Sequence, residues 1–422
     1  MRRKKIQRAG FSGHPKFPLK PITLSLIAFF VIHSIAYNQG WQPQIPPRTD
    51  RNLFDVWFVS ESVGCACGNF GFLIKTTDGG ISWQDRSGVT NSWIDDMWFV
   101  SDAAPCINSR IGYAVGEAGT ILKTTDAGTN WLLLNCGSNR NLYGVCFPDT
   151  NNGWVTGQGG VIFYTPDGAN TWYLQNSGLT LAIFDIEFVN PDTGFACGQN
   201  GWFYKTADGG NNWSLMNISS VDLYGLKCVS GSELWVVGAN GRIYRITNFG
   251  NTIESWQLGN FVLKAVEVKN NKVWVCGQYG TIFFSPNNGD TWIQQNSQTT
   301  NYLDEIFFFD ENRGWAVGMQ GTIRYTENGG VGLDGIIPIS PKTDIRISPN
   351  PARNQLKFFL SDNLPNSNKL VIKFWSITGK MVKQFEIYPS KTFALSITNL
   401  PTGIYFVTVN SQILGQTKII RI

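Results

Sequence analysis

Between residues 37 and 335 the apolar positions fall into short runs closed by glycine, and the runs recur as a set of four. The first run follows L-x-x-V-x-F, as in Leu53-Phe54-Asp55-Val56-Trp57-Phe58 and Leu303-Asp304-Glu305-Ile306-Phe307-Phe308. The second is an aromatic and apolar stretch ending in glycine, as in Gly153-Trp154-Val155-Thr156-Gly157 and Gly314-Trp315-Ala316-Val317-Gly318. The third follows the next glycine, as in Thr281-Ile282-Phe283-Phe284. The fourth begins at a tryptophan: Trp83, Trp131, Trp172, Trp213, Trp256 or Trp292. Each run has the length of a strand. The first two are apolar at both parities, which predicts sheets covered on both faces.

A G-x-x-G element marks each set, at Gly68/Gly71, Gly116/Gly119, Gly157/Gly160, Gly198/Gly201, Gly238/Gly241, Gly277/Gly280 and Gly318/Gly321. The first glycines are 48, 41, 41, 40, 39 and 41 residues apart. A four-stranded unit repeating at this interval predicts a β-propeller of seven blades. The seventh set stops at Thr326-Glu327-Asn328-Gly329-Gly330 without a tryptophan strand. Gly40-Trp41-Gln42-Pro43-Gln44, ahead of the first set, has the form of that missing strand. The expectation is therefore that the N-terminal strand completes the last blade, tying the two ends together and removing an open edge.

The third and fourth runs are joined by [ST]-x-D-x-G-x-x-W. Asp78, Asp126 and Asp208 lie in full matches; Asp167 lies in a copy with Ala169 for the glycine, Asn287 and Asn328 replace the aspartate in two others, and the fifth copy is degenerate. A carboxylate here can accept backbone N–H bonds within the turn while glycine takes positive φ, so these aspartates read as structural rather than catalytic. The turns resemble the Asp-box (BNR) repeat of sialidase-like propellers. Taken whole, G-x-x-G-x-I-x-[KR]-T-x-D-G-G-x-x-W is similar to propellers of the photosystem II assembly and stability factor type. That resemblance implies a seven-bladed, non-enzymatic domain in a lumenal or periplasmic setting.

Charge divides the chain further. Residues 1–36 carry seven Lys/Arg and no Asp/Glu, residues 37–344 carry 17 basic and 28 acidic groups, and residues 345–422 carry 10 and 2. The basic leader precedes an apolar run from Ile22 to Ile32 and the small residues Ser34-Ile35-Ala36, which reads as a signal peptide ending at Ala36; an uncleaved anchor is the alternative, although the run is short for a span. Cleavage leaves no membrane span in the mature protein. Both histidines, His14 and His33, lie in the leader, so the mature chain has no histidine for general-base, nucleophile-pair or metal work. An acidic main domain without a basic stripe argues against nucleic acid.

Residues 336–344 break the repeat and read as a linker. Alternating runs over residues 345–422 predict a small Ig-like β-sandwich. Ser348-Pro349-Asn350-Pro351, Ile377-Thr378-Gly379-Lys380, Leu400-Pro401-Thr402-Gly403-Ile404-Tyr405 and Lys418-Ile419-Ile420 resemble the C-terminal sorting domain of type IX secretion cargo of Bacteroidota. The resemblance implies engagement of the secretion machinery through residues 345–422, then release or anchoring at the cell surface. The whole chain is thus expected to be all-β and exported.

The innermost strand of a blade lines the central channel. Its third position reads Asp55, Asp96, Gly144, Asp185, Gly225, Ala265, Glu305, and its second Phe54, Asp95, Tyr143, Phe184, Tyr224, Lys264, Asp304. The four acids Asp55, Asp96, Asp185 and Glu305 at the channel mouth can hold a cation, an amine or a basic peptide; alternatively each caps neighbouring loop amides. Phe54, Tyr143, Phe184 and Tyr224 can stack on sugar or peptide, or pack between blades. Cys67, Cys197 and Cys276 share one repeat position as small core thiols, while Cys106 can pair with Cys136 or Cys146 after export. No metal or cofactor is expected. A non-enzymatic module binding an unknown protein or glycan ligand is the leading function. A glycosidase is one alternative, with Asp96 and Asp185 as a possible carboxylate pair but no arginine triad of the sialidase kind. An assembly or stability factor is the other, and it predicts a patch of arginines on one blade face.

Overall fold

The structure, a computed structural model, describes residues 40–100, 110–331, 337–338, 345–348, 352–360, 370–376, 380–387, 392–409 and 412–421. The leader, Cys106 and most of the expected linker lie outside these residues. The described chain is built of β-strands joined by tight turns and single 3-10 turns.

Seven antiparallel sheets carry the repeat, and in all but the last the first four strands follow one another as a meander. From blade 1 to blade 7 the innermost strands are Leu53–Phe58, Ile94–Phe99, Leu142–Cys146, Ile183–Phe188, Leu223–Ser230, Leu263–Lys269 and Leu303–Phe308. Each packs against the next in order, and the last packs against the first, so the ring closes. The second strand of every blade is buried over its closing glycine-bounded stretch, as the pattern at both parities requires.

Closure follows the expected route. Gln42–Gln44 is the outer strand of blade 7, pairing Gln42 with Tyr325 and Gln44 with Ile323. Trp41 is wholly buried, lies edge-on to Phe308 at 5.7 Å, and donates its indole N–H to Gln295 Oε1 at 2.8 Å. Blades grip one another through stacked rings. Phe58 of blade 1 lies 3.5 Å from Trp315 of blade 7, and Phe188 of blade 4 lies 3.7 Å from Trp154 of blade 3. Such pairs add about 0.5–1.5 kcal/mol each beyond the area they bury.

The G-x-x-G turns are steric necessities. A Cβ on Gly68 would stand 1.8 Å from the carbonyl oxygen of Asn52, and Gly71 holds φ +67° against the carbonyl of Thr90. One segment departs from the sequence reading: Ile337–Pro338, expected within a linker, pairs with Ile293–Gln295 and becomes a fifth strand on blade 6. An outer blade strand has an unpaired edge, and an extended segment that follows the last blade can fill it.

The strands from Ile345 onward form two sheets. Numbered within this domain, the first, second and fifth strands make one sheet, and the fourth, third, sixth and seventh make the other. Leu356, Phe358 and Leu395 from the first meet Ile372, Phe374, Tyr405 and Val407 from the second in a shared core. This is a β-sandwich; its fourth strand lies beside the third, whereas constant-type immunoglobulin sheets place it beside the fifth.

Candidate functional site

In every blade the pairing between the first two strands jumps from the first to the third residue of the innermost strand, for example Leu53 with Gly68 and then Asp55 with Cys67. The second residue is the extra member of a β-bulge. L-x-x-V is therefore a bulge signature, and it presents three successive tiers of side chains along the channel.

The second-position tier lies on the face carrying the G-x-x-G turns, where innermost strands begin. Tyr143, Phe184 and Tyr224 form an arc over blades 3, 4 and 5, with ring centroids 5.8 Å and 5.2 Å apart. Lys264 of blade 6 continues it, its Nζ 4.9 Å from the Tyr224 ring. Asp304 and Asp95 complete the ring with Phe54, which leans on Trp93 at 5.6 Å. All seven are partly buried. Burial pushes Asp95 up to about 6 and Asp304 up to about 7, against the pull of Lys264. Asp304 Oδ2 is buried without a hydrogen-bond partner.

The acid tier lies one residue further in, and it is occupied. Asp55 accepts the N–H of Val56 at 2.6 Å and that of Met97, in the next blade, at 2.7 Å. Asp96 does the same with Met97 and Val145, and Asp185 with Ile186 and Leu226. Glu305 accepts the N–H of Ile306 at 2.9 Å. Of the two sequence readings for these acids, the structure thus places them on amides, and the amides belong to strands rather than loops. Burial raises Asp55 to about 6 and Asp185 to about 7, and it lifts Asp96 and Glu305 well above the carboxylate range, with Asp55 adding repulsion to both.

The fifth-position tier was missed by sequence reasoning. Lys227 pairs with Glu187 at 3.2 Å and Glu267 at 3.9 Å, and its Nζ stands 5.9 Å from the Trp57 ring. Trp57 in turn meets Trp98 at 4.9 Å and Phe307 at 5.5 Å. Burial opposes the lysine charge, but Glu187 and Glu267 outweigh it and hold Lys227 above its ordinary value. The parity of the strand, two residues beyond the acids, is the signal that marks this tier.

The Asp-box turns lie on the opposite face, away from these tiers. Asp78 accepts the Ser82 N–H at 2.9 Å, and Asp126, Asp167 and Asp208 accept the equivalent amides of Asn130, Thr171 and Asn212. Hydrogen bonds from Ser82, Thr171 and Asn212 hold Asp78, Asp167 and Asp208 below the usual range; for Asp126 burial acts the other way and bonds from Asn130 and Thr124 outweigh it. The seven described cysteines are free; Cys67, Cys197 and Cys276 are buried as expected, and the proposed partner Cys106 is outside the described residues. No group of acids and cysteines among the described residues is placed to hold a metal.

Residues 34–139, 174–262 and 244–326 match the family described as photosynthesis system II assembly factor YCF48. The chain belongs to this family. The fold agrees: the structure of YCF48 bound to a D1 peptide aligns with TM-score 0.58 at 20% identity, covering 68% of this chain and 94% of that one. YCF48 from Cyanidioschyzon merolae aligns with TM-score 0.56 at 18% identity over 68% and 98% of the two chains. The WD40 propeller of Doa1 aligns at 0.55 and 12% identity, covering 68% and 97%. No curated protein matches by sequence. Residues 346–422 match the secretion system C-terminal sorting domain, so this member of the YCF48 family is exported to the cell surface or beyond. No helix among its described residues is long and apolar enough to cross a membrane.

Four arginines of the propeller have assigned contacts. Arg51 lies over Phe70 of blade 1, Arg245 pairs with Glu233 and Glu254 in blade 5, Arg313 with Glu61 and Asp310, and Arg324 binds the carbonyls of Ser297 and Gln298.

Proposed function

We propose that this chain is an exported, non-enzymatic binding propeller whose ligand docks on the channel mouth at the G-x-x-G face. One observation carries the reading. Three aromatic rings from consecutive blades stand in a partly open arc, with the Lys264 ammonium over the last of them. Solvent-reachable rings on a rigid closed scaffold are suited to recognition. The carboxylates that a hydrolase would need, Asp96 and Asp185, spend both oxygens on backbone amides, which favours a structural role over acid–base chemistry. The leader is read as the signal for the first export step and the sorting domain as the signal for the second.

The test has two arms on the full chain. Chromogenic glycosides should be left intact; turnover abolished by Asp96→Ala would overturn the non-enzymatic reading. Any ligand recovered from glycan or protein panels should lose binding in Tyr143→Ala, Phe184→Ala and Tyr224→Ala chains; undiminished binding would move the site elsewhere.

A further inference from the structure

Blade 6 differs from its neighbours in how far its outer part is covered. On its outer strand, Ile293–Gln295, Ile293 is 5% exposed, whereas Leu174 on the outer strand of blade 3 is 67% exposed and Leu132 on that of blade 2 is 64% exposed. The turn ahead of this strand is covered too. Pro286 and Thr291 are buried, while the residues in their positions in blades 1 to 4 are exposed. The same turn has Asn287 where those four blades have Asp78, Asp126, Asp167 and Asp208. Asn287 is buried, its Oδ1 accepts the Thr291 N–H at 2.9 Å as the aspartates accept theirs, and its Nδ2 has no partner. An amide keeps the turn bond without burying an unmatched charge.

The cover comes from beyond the last blade. Ile337–Pro338 pairs with this outer strand, Ile293 with Pro338 and Gln294 with Ile337. Proline has no N–H to give, so Gln294 and Ile337 are the pair that exchanges hydrogen bonds, and Pro338 blunts the new edge. Trp375, on the third strand of the sandwich, Leu370–Ser376, packs against the core that blades 6 and 7 share. Burial raises the Asp290 carboxyl in the blade 6 turn, and Lys373 of the same sandwich strand acts against it. The charges agree: residues 345–422 carry 10 basic and 2 acidic groups, and residues 37–344 carry 17 and 28. We infer that blade 6 is a docking site for the sorting domain: its open edge takes Ile337–Pro338 as a strand, and its turn, freed of the buried carboxylate, takes the Lys373–Trp375 strip. The sorting domain is carried on the propeller, and that strip is withheld from other proteins while it is docked.

The experiment is hydrogen exchange on the full chain, read residue by residue. Leu174 and Leu215 hold the place of Gln294 on the outer strands of blades 3 and 4, which have no strand beyond them among the described residues. The Gln294 N–H should exchange at least about tenfold more slowly than theirs. Ile337→Pro, which removes the N–H that reaches Gln294, should bring Gln294 to their rate, and Ile337→Val should leave it slow. The amides of Ile282–Ser285, the strand beneath, should stay slow in both chains and report that the blade is folded. Asn287→Asp restores the residue of the four uncovered turns. Under a docked domain it should lower the urea midpoint and speed Gln294 exchange; in an uncovered turn it would do neither. The inference is overturned if Gln294 exchanges as fast as Leu174 and Leu215 in the parent chain, if Ile337→Pro leaves it slow, or if Asn287→Asp leaves the midpoint unchanged or raises it.

Discussion

Asp55 shows how one side chain can be misjudged from its type. A carboxylate facing a channel suggests a ligand, yet its two oxygens each take a backbone N–H that a bulge has released from the sheet, one from its own blade and one from the next. Removing it leaves the buried Val56 amide without its partner, while Met97 keeps its second acceptor in Asp96. Asp55→Ala is expected to cost about 1–3 kcal/mol in urea unfolding, and Asp55→Asn, which keeps one acceptor oxygen, about half as much. An Ala variant as stable as the parent would show that the Val56 amide finds water. The acids also set a pH trend. Folded values raised to about 6 for Asp55 and about 7 for Asp185 mean that the folded chain binds protons more tightly than the unfolded one. Their contribution is full below the unfolded pKa of about 4 and is lost as pH rises through 6 to 7. The Asp-box carboxyls are depressed and act oppositely, their contribution being lost as pH falls below about 4. The urea midpoint should therefore fall between pH 5 and pH 8, and less so in an Asp96→Asn chain; a midpoint that rises over that interval would contradict the assignment.

At the scale of elements, the strand Gln42–Gln44 differs from the other outer strands because it arrives from the opposite end of the chain. Trp41 anchors it with a fully buried ring and a hydrogen bond across to blade 6. Trp41→Ala should cost about 3–5 kcal/mol, and hydrogen exchange should speed up first in Thr322–Thr326, the strand left with a free edge. Protection unchanged there would show that closure does not depend on this anchor. Much of this level was legible beforehand: the four runs, the glycine turns, the Asp-box hairpins and the borrowed strand are each set by residues close in sequence. Ile337–Pro338 was not legible. Nothing in two residues distinguishes a linker from a strand until a neighbouring edge is available to pair with it.

For the whole molecule, family and address are separable properties. The propeller belongs to the YCF48 family, while the final 77 matched residues direct export. A chain ending at residue 344 is expected to be absent from the culture medium and the cell surface, by immunoblot of fractionated cells, while its propeller stays folded. Surface display of the shortened chain would assign the address to another segment. The ring also decides what the blades can do together. No single repeat contains a site; the aromatic arc needs three of them and the Lys227 ion pairs need three.

By itself the sequence determined the number of blades, the chemistry of their turns and the source of the closing strand, because steric demands on glycine, turn hydrogen bonds and hydrophobic periodicity act over a few residues. Only the tertiary structure decided what faces what across the channel: that Lys227 stands between Glu187 and Glu267 and beside Trp57, that the acids hold amides, and that the mouth keeps its rings partly open. Those groups are one to four blades apart along the chain, and the energy of a charge or a ring depends on the neighbours that ring closure brings to it.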